Sequence, residues 1–480
     1  MDTRGLVKRF RLPALELKVT AAMTAAIGLT MWKLPGAPPM ETLLLMLGAL
    51  AVTLAVDRLN RFRTTTGTVT LIVLWGVMSC IIVANTYIYT TRFGFTLDNP
   101  MLFNRDSIRW FFLPKLWIEG KYDNTIFLPT LYYFITIMRV FGINVVPLMV
   151  ANMLCGLLSV SLTGHIAGKT ATLCDNTPNH ARRISAVAMV MMSGVSFFIA
   201  ISTSILKDAP MVLGITMAIA GMTTLADSSP TRRSTIAHLA LIAGGTVIAC
   251  SMRTACAPCI IVIALIFGLR RSRRSLALMA VAIAVSGTAG ALIMERHSES
   301  QKTTAVSKVV AAESLREKYA TSDEDHSAYT EGYGKAYFNA PLWKKIAMLP
   351  GACALQYFIP LMWTASRDLD MGFSFYYAHF GVPWYIIGGI FLYFMLFRLK
   401  GSTQAMTRLA LAGAALWVMP AYATSGTISR YALPALPAIA TVASAAWVTY
   451  RKCRSFRVFM GVYALTVVAS LISIYHIQYP

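Results

Sequence analysis

Residues 68–90, TVTLIVLWGVMSCIIVANTYIYT, carry no charged side chain, and residues 91–142 follow at once as TRFGFTLDNPMLFNRDSIRWFFLPKLWIEGKYDNTIFLPTLYYFITIMRVFG. The first run is long enough to cross a hydrocarbon core as a helix. The second sets Asp98, Arg105, Asp106, Arg109, Lys115, Glu119, Lys121 and Asp123 among Trp110, Phe111, Phe112 and Trp117, in a chain of which only 13% is charged. Charges interleaved with large rings suit helices lying in the membrane interface, rings among the headgroups and charges toward water. A span that opens onto such a shelf decides the reading: helices in a bilayer, with a polar, aromatic-anchored platform where a lipid-borne substrate is met.

The same alternation runs through all 480 residues, 56% of them hydrophobic. Apolar runs predict spans near 16–34, 40–57, 68–90, 145–168, 185–205, 209–226, 236–251, 255–269, 275–294, 383–398, 405–421, 432–449 and 456–474. The fold class is therefore all-α, a polytopic transmembrane bundle of about 13 spans, with 127–140 and 346–362 read as interfacial or re-entrant. An inward N-terminus places Asp57–Arg63, Lys169–Arg183, Arg232–Arg233, Arg270–Arg274, Arg398–Arg408 and Arg451–Arg457 inside, and each of these segments is basic, as orientation by positive charge requires. The C-terminus then lies outside. The net charge of +22 sits in these loops, which argues against a nucleic-acid partner. The first 18 residues lack a short apolar core and a small-residue cleavage site, so the first span reads as an uncleaved anchor. Cys256 and Cys259 form a C-x-x-C without a nearby His, better read as packing residues than as metal ligands.

Four regions follow: 1–67, an inner tail and two extra spans; 68–294, a core containing the outer loop 91–143; 295–342, a hydrophilic flap; and 343–480, the C-terminal spans. The flap, with AAESLREKYA (311–320), is too small to bury a core of its own.

Three constellations stand on the outward side. Asp106 in FNRDSIRW, with Asp98 before it, offers a carboxylate that can act as a general base or hold a metal; the bland alternative is a helix cap. Lys207–Asp208 places a cation and an acid in a turn between spans, where Pro210 alone would start the next helix; snorkelling at the interface is the bland alternative. Arg253 and Arg430, with Arg109, Lys115 and Lys121, oppose the inward bias of positive charge, and Arg presents a fork of donors matched to phosphate.

In order and sidedness these features resemble the C-type integral-membrane glycosyltransferases, among them protein O-mannosyltransferases and aminoarabinose transferases. The resemblance rests on Asp106 followed by Gly120, on PTLYY (129–133) before FGIN (141–144), on Asp208 in ILKDAP, and on RYALP (430–434). Arg105 and Trp110 stand where the family more often has a small residue and a tyrosine. The resemblance covers roughly 68–450. It implies a polyprenyl-phosphate sugar donor, a glycan, lipid or protein acceptor, surrounding membrane lipids, and work on the outer face of a bacterial inner membrane in a cell-envelope polysaccharide pathway. It implies Asp106 as base, Asp98 as reserve, and Asp208 as partner acid. Lys207, Arg253 and Arg430 become phosphate clamps, with Tyr431, Arg109, Lys115 and Lys121 in the substrate site. The resemblance leaves a divalent cation, Mg or Mn, open, with Asp106 and Asp208 as its ligands if there is one. Competing readings are a polysaccharide polymerase or ligase, a lipid-linked glycan flippase, and a membrane scaffold.

Overall fold

The computed structural model describes residues 14–31, 39–92, 96, 105–121, 128–174, 177–225, 232–253, 255–268, 277, 279–284, 335–338, 340–358, 381–424 and 429–478. Asp98, most of the flap 295–342 with its segment 311–320, and most of the span expected at 275–294 lie outside the described residues. Among those described, the chain is helical with no β-strand.

The first three helices, α1 (Ala14–Met31), α2 (Pro39–Leu59) and α3 (Thr65–Arg92), are tied at one end by a buried ionic knot. Arg63, between α2 and α3, donates from Nη2 to Glu16 Oε2 at 2.7 Å and holds Asp57 Oδ2 at 3.4 Å. Thr68 Oγ1 donates to the same Asp57 oxygen at 2.8 Å. Further along, Trp75 Nε1 donates to the Met46 carbonyl at 2.8 Å, locking α3 to α2.

Within residues 91–142 the described residues form two helices, α4 (Arg105–Ile118) and α5 (Leu128–Phe141), 14 residues each. At 1.5 Å per residue each is about 21 Å long, short of a hydrocarbon core of roughly 30 Å. Trp110, Phe111, Phe134 and Met138 turn into the protein, while Arg109, Val140 and Phe141 are exposed.

The centre is α6 (Val145–Thr172), buried along most of its length. Around it pack α2, α3, α7 (Pro178–Ser193), α9 (Asp208–Leu225) and α16 (Leu436–Tyr450). The sequence suggests one span over 185–205; instead α7 and α8 (Ser196–Ser202) meet at a bend of 71°. Gly194 and Val195 interrupt the helix there, and Val195 N bonds only to the Met192 carbonyl, at 3.3 Å.

A close backbone approach joins α9 to α10 (Arg232–Met252). A Cβ on Gly214 would lie 2.6 Å from Ala249 N and 2.7 Å from Gly245 O, and one on Gly221 would lie 2.7 Å from His238 O. Small residues let two backbones touch, which is how helices associate where lipid tails supply no hydrophobic drive. The remaining helices are α11 (Cys256–Gly268), α12 (Lys335–Phe338), α13 (Leu342–Phe358), α14 (Val382–Phe397), α15 (Gln404–Thr424) and α17 (Arg454–Gln478), with a 3₁₀ turn at Ser429–Ala435 before α16.

Among the described residues seven helices are long and apolar enough to cross a membrane, or eight if the bent pair is one span. The helix α17 leaves Val458, Val462, Leu465, Val468 and Ile472 exposed, a stripe that suits lipid and not water. The chain is a helical multi-pass membrane protein.

Candidate functional site

Because α9 starts at Asp208 and α10 ends at Met252, the glycine crossing brings the first turn of one beside the last turn of the other. Across that junction Arg253 Nη2 donates to Asp208 Oδ1 at 2.9 Å. Each charge stands at the helix end whose dipole favours it. The carboxylate side chain is 1% exposed and the guanidinium 16%. The guanidinium carbon also lies 3.9 Å from the centre of the Tyr431 ring. Burial by itself would lower the pKa of Arg253, but Asp208 and Tyr431 outweigh it and the net direction is upward. Arg253 is a fixed cation. Its buried Nε–H finds no acceptor among the described residues, an exception to the rule that buried donors are paired.

The next residue back completes the cluster. Lys207 Nζ stands 4.7 Å from the centre of the Trp110 ring, and the Arg109 guanidinium stands 5.9 Å from the same ring. Trp110 is buried and stacks on Phe134 of α5, centroids 6.0 Å apart. Arg109, Trp110, Lys207, Asp208, Arg253 and Tyr431 thus line up as one cluster, drawn from α4, the start of α9 with the residue before it, the end of α10 and the 3₁₀ turn.

A buried amide holds this arrangement from below. Asn152 on α6 is fully buried; its Nδ2 donates to the carbonyls of Ser204 (2.6 Å) and Leu206 (2.8 Å), and its Oδ1 accepts from Tyr133 Oη at 3.0 Å. It fixes the turn that ends in Lys207–Asp208 and couples that turn to α5. Thr130 Oγ1 of α5 donates to the Ser251 carbonyl at 2.9 Å, pinning α5 to the last turn of α10. Sequence reasoning missed Asn152 and Thr130. The signal for Asn152 was there: an amide inside an apolar run needs partners.

Comparison with models of known protein families, with curated proteins and with solved structures finds no match to this chain. No family is assigned. The resemblance described above therefore rests on the residues quoted for it.

Of the residues read from sequence, the structure gathers Lys207, Asp208, Arg253, Tyr431 and Arg109. Lys115 lies half-buried further along α4. Lys121 pairs at 2.9 Å with Glu119, two residues away and exposed. Asp106 is the second residue of α4 and Arg430 lies in the 3₁₀ turn beside Tyr431, with the side chains of both outside the described set; Asp98 is outside it altogether. Among the described residues no three His, Cys, Asp or Glu side chains gather as a metal-ligand set. Asp208 is already engaged by the Arg253 guanidinium, whose charge disfavours Mg or Mn at that carboxylate.

Proposed function

We propose that this chain is a membrane glycosyltransferase that moves a sugar from a polyprenyl-phosphate donor to a lipid, glycan or protein acceptor. The observation that carries the reading is Arg253: a buried, permanently charged fork with a donor left over, next to Lys207 and above an aromatic shelf. Phosphate oxygens are the acceptors such a fork suits. The motif order through RYALP (430–434) supports the same reading.

In the proposed reaction the acceptor oxygen attacks the anomeric carbon. A bond forms from that oxygen to the carbon while the bond from the carbon to the phosphate oxygen breaks, and the electron pair leaves with the lipid phosphate. Arg253 and Lys207, with Arg430 and Arg109, neutralise the charge that develops there. Asp106 takes the acceptor's proton. Asp208, bound by the guanidinium, serves to aim Arg253 rather than to abstract a proton. The site then faces outward from a bacterial inner membrane, with 13 spans and an inward N-terminus.

A second reading, a lipid-linked glycan flippase, is favoured by the 71° break between α7 and α8, since transporters use broken helices at their substrate sites. The test is transfer of radiolabelled sugar from polyprenyl-phosphate donors by the purified protein across an acceptor panel. Asp106→Asn should abolish transfer while donor binding persists, and Arg253→Gln should weaken donor binding itself. Full transfer by Asp106→Asn removes the base assignment. Donor binding with no transfer to any acceptor, together with lipid movement across vesicles, moves the protein to the flippase reading.

A further inference from the structure

At the end of the bundle opposite Asp208, a cavity of about 340 Å³ opens between the N-terminal ends of α3 and α7, lined by Thr64, Thr66, Asn179, Arg182, Arg183, Ala186, Val187 and Val190. We propose that it binds an anionic phospholipid by its phosphate headgroup, independently of the chemistry assigned to the other end.

The α7 lining residues fall at 179, 182, 183, 186, 187 and 190, a single helical stripe of spacing three and four. Its outer part is polar and basic; its inner part is Ala186, Val187 and the exposed Val190. That gradient fits an amphiphile, with a headgroup on the arginines and an acyl chain along the valines. A soluble anion would have no use for the inner half. Beside the cavity α3 packs closely on α7: a Cβ on Gly67 would lie 2.9 Å from the Met189 sulfur.

The charge balance points the same way. Neither α3 nor α7 has an acid in its first turn, and arginines near a helix N-terminus oppose the dipole. Arg182 and Arg183 are exposed and make no ion pair among the described residues. By contrast, Arg63 nearby is neutralised by Glu16 and Asp57. The loop Lys169–Arg183 holds Lys169, Arg182 and Arg183 against the single acid Asp175. An external anion relieves the unfavourable placement of Arg182 and Arg183, which no ion pair offsets among the described residues. Basic pockets between membrane helices on such a face are where anionic headgroups bind.

The test is native mass spectrometry of the full chain in detergent, titrated with dioleoyl phosphatidylglycerol or dioleoyl phosphatidylcholine. The wild type should retain phosphatidylglycerol in preference. Arg182→Gln/Arg183→Gln should need roughly 20-fold more lipid for the same adduct, on the order of fivefold per arginine. Val190→Trp fills the apolar half at an exposed position and should lose the adduct with both arginines in place. Arg454→Gln/Arg457→Gln, which removes exposed charge from the first turn of α17, should behave as wild type. Three results would overturn the proposal: unchanged retention by Val190→Trp, equal loss in the Arg454/Arg457 variant, or displacement of the lipid by millimolar inorganic phosphate, which would make the site one for soluble anions.

Discussion

Consider replacing Arg253 by Met. The Asp208 carboxylate, 1% exposed, would lose its 2.9 Å partner and stay in the interior, because the Gly214–Gly245 crossing keeps α9 from moving outward. Breaking a buried pair from one side costs about 3–5 kcal/mol. The lost contact with Tyr431 adds about 2 kcal/mol for a desolvated cation. Asp208→Leu leaves the less buried guanidinium on Tyr431 with some access to water, a cost nearer 1–3 kcal/mol. The double variant removes both charges and should fall little further than the loss of the Tyr431 contact, since apolar replacement of a buried pair is often neutral. That contact is lost in both the Arg253 single and the double variant and so cancels in the cycle, leaving a coupling of roughly 3 kcal/mol or more. SDS titration in mixed micelles, followed by tryptophan fluorescence, gives the four unfolding free energies. A coupling below about 0.5 kcal/mol is what exposed pairs show; it would mean that the pair is wet and that the site is not held as described.

Replacing Arg63 by Met leaves two carboxylates, Glu16 and Asp57, each 1% exposed, without their cation; a loss of about 3–5 kcal/mol in the same titration is expected, and a change under 1 kcal/mol would refute the burial of the knot. Gly214→Leu has no room against Ala249 and Gly245 and should abolish donor-lipid binding even where expression persists, whereas Gly48→Leu, with open space around it, should not. Asn152→Leu strands the Ser204 and Leu206 carbonyls and the Tyr133 hydroxyl; at about 1 kcal/mol per hydrogen bond it should cost about 3 kcal/mol and raise hydrogen exchange at 204–207, and unchanged exchange there would deny it the anchoring role. A cation whose pKa rises on folding contributes fully below its unfolded value, so the Asp208–Arg253 coupling should stay constant from about pH 6 to 10; a midpoint near pH 8–9 would assign it to another group.

Some of this was legible in residues 68–142 because composition and length alone separate a span from an interfacial helix. The run at 68–90 and the ring-and-charge mixture after it needed no partner to be read. The tight turn at Lys207–Asp208 was visible for the same reason, as charge where a turn needs none. What sequence did not reveal is pairing at a distance. Asp208 and Arg253 are 45 positions apart, and the register of Gly214 against Gly245 and Ala249, and of Gly221 against His238, brings them together. Arg63 and Glu16 meet across 47 positions by the same kind of accident of packing, and the loop they tie reads in sequence merely as basic. The break after Ser193 had a local cue in Gly194–Val195, yet hydropathy runs smoothly through it, because an apolar bend and an apolar helix have the same composition.

That break has a mechanical consequence. A straight rod passes a push along its axis from one end to the other; a rod bent by 71° turns the push into a swing of its short arm. Arg182 and Arg183 sit on the long arm, and the short arm leads through Ser202 into the turn that Asn152 clasps. Between that short arm and Lys207 stands the amide at 152, which holds the carbonyls of Ser204 and Leu206 in place.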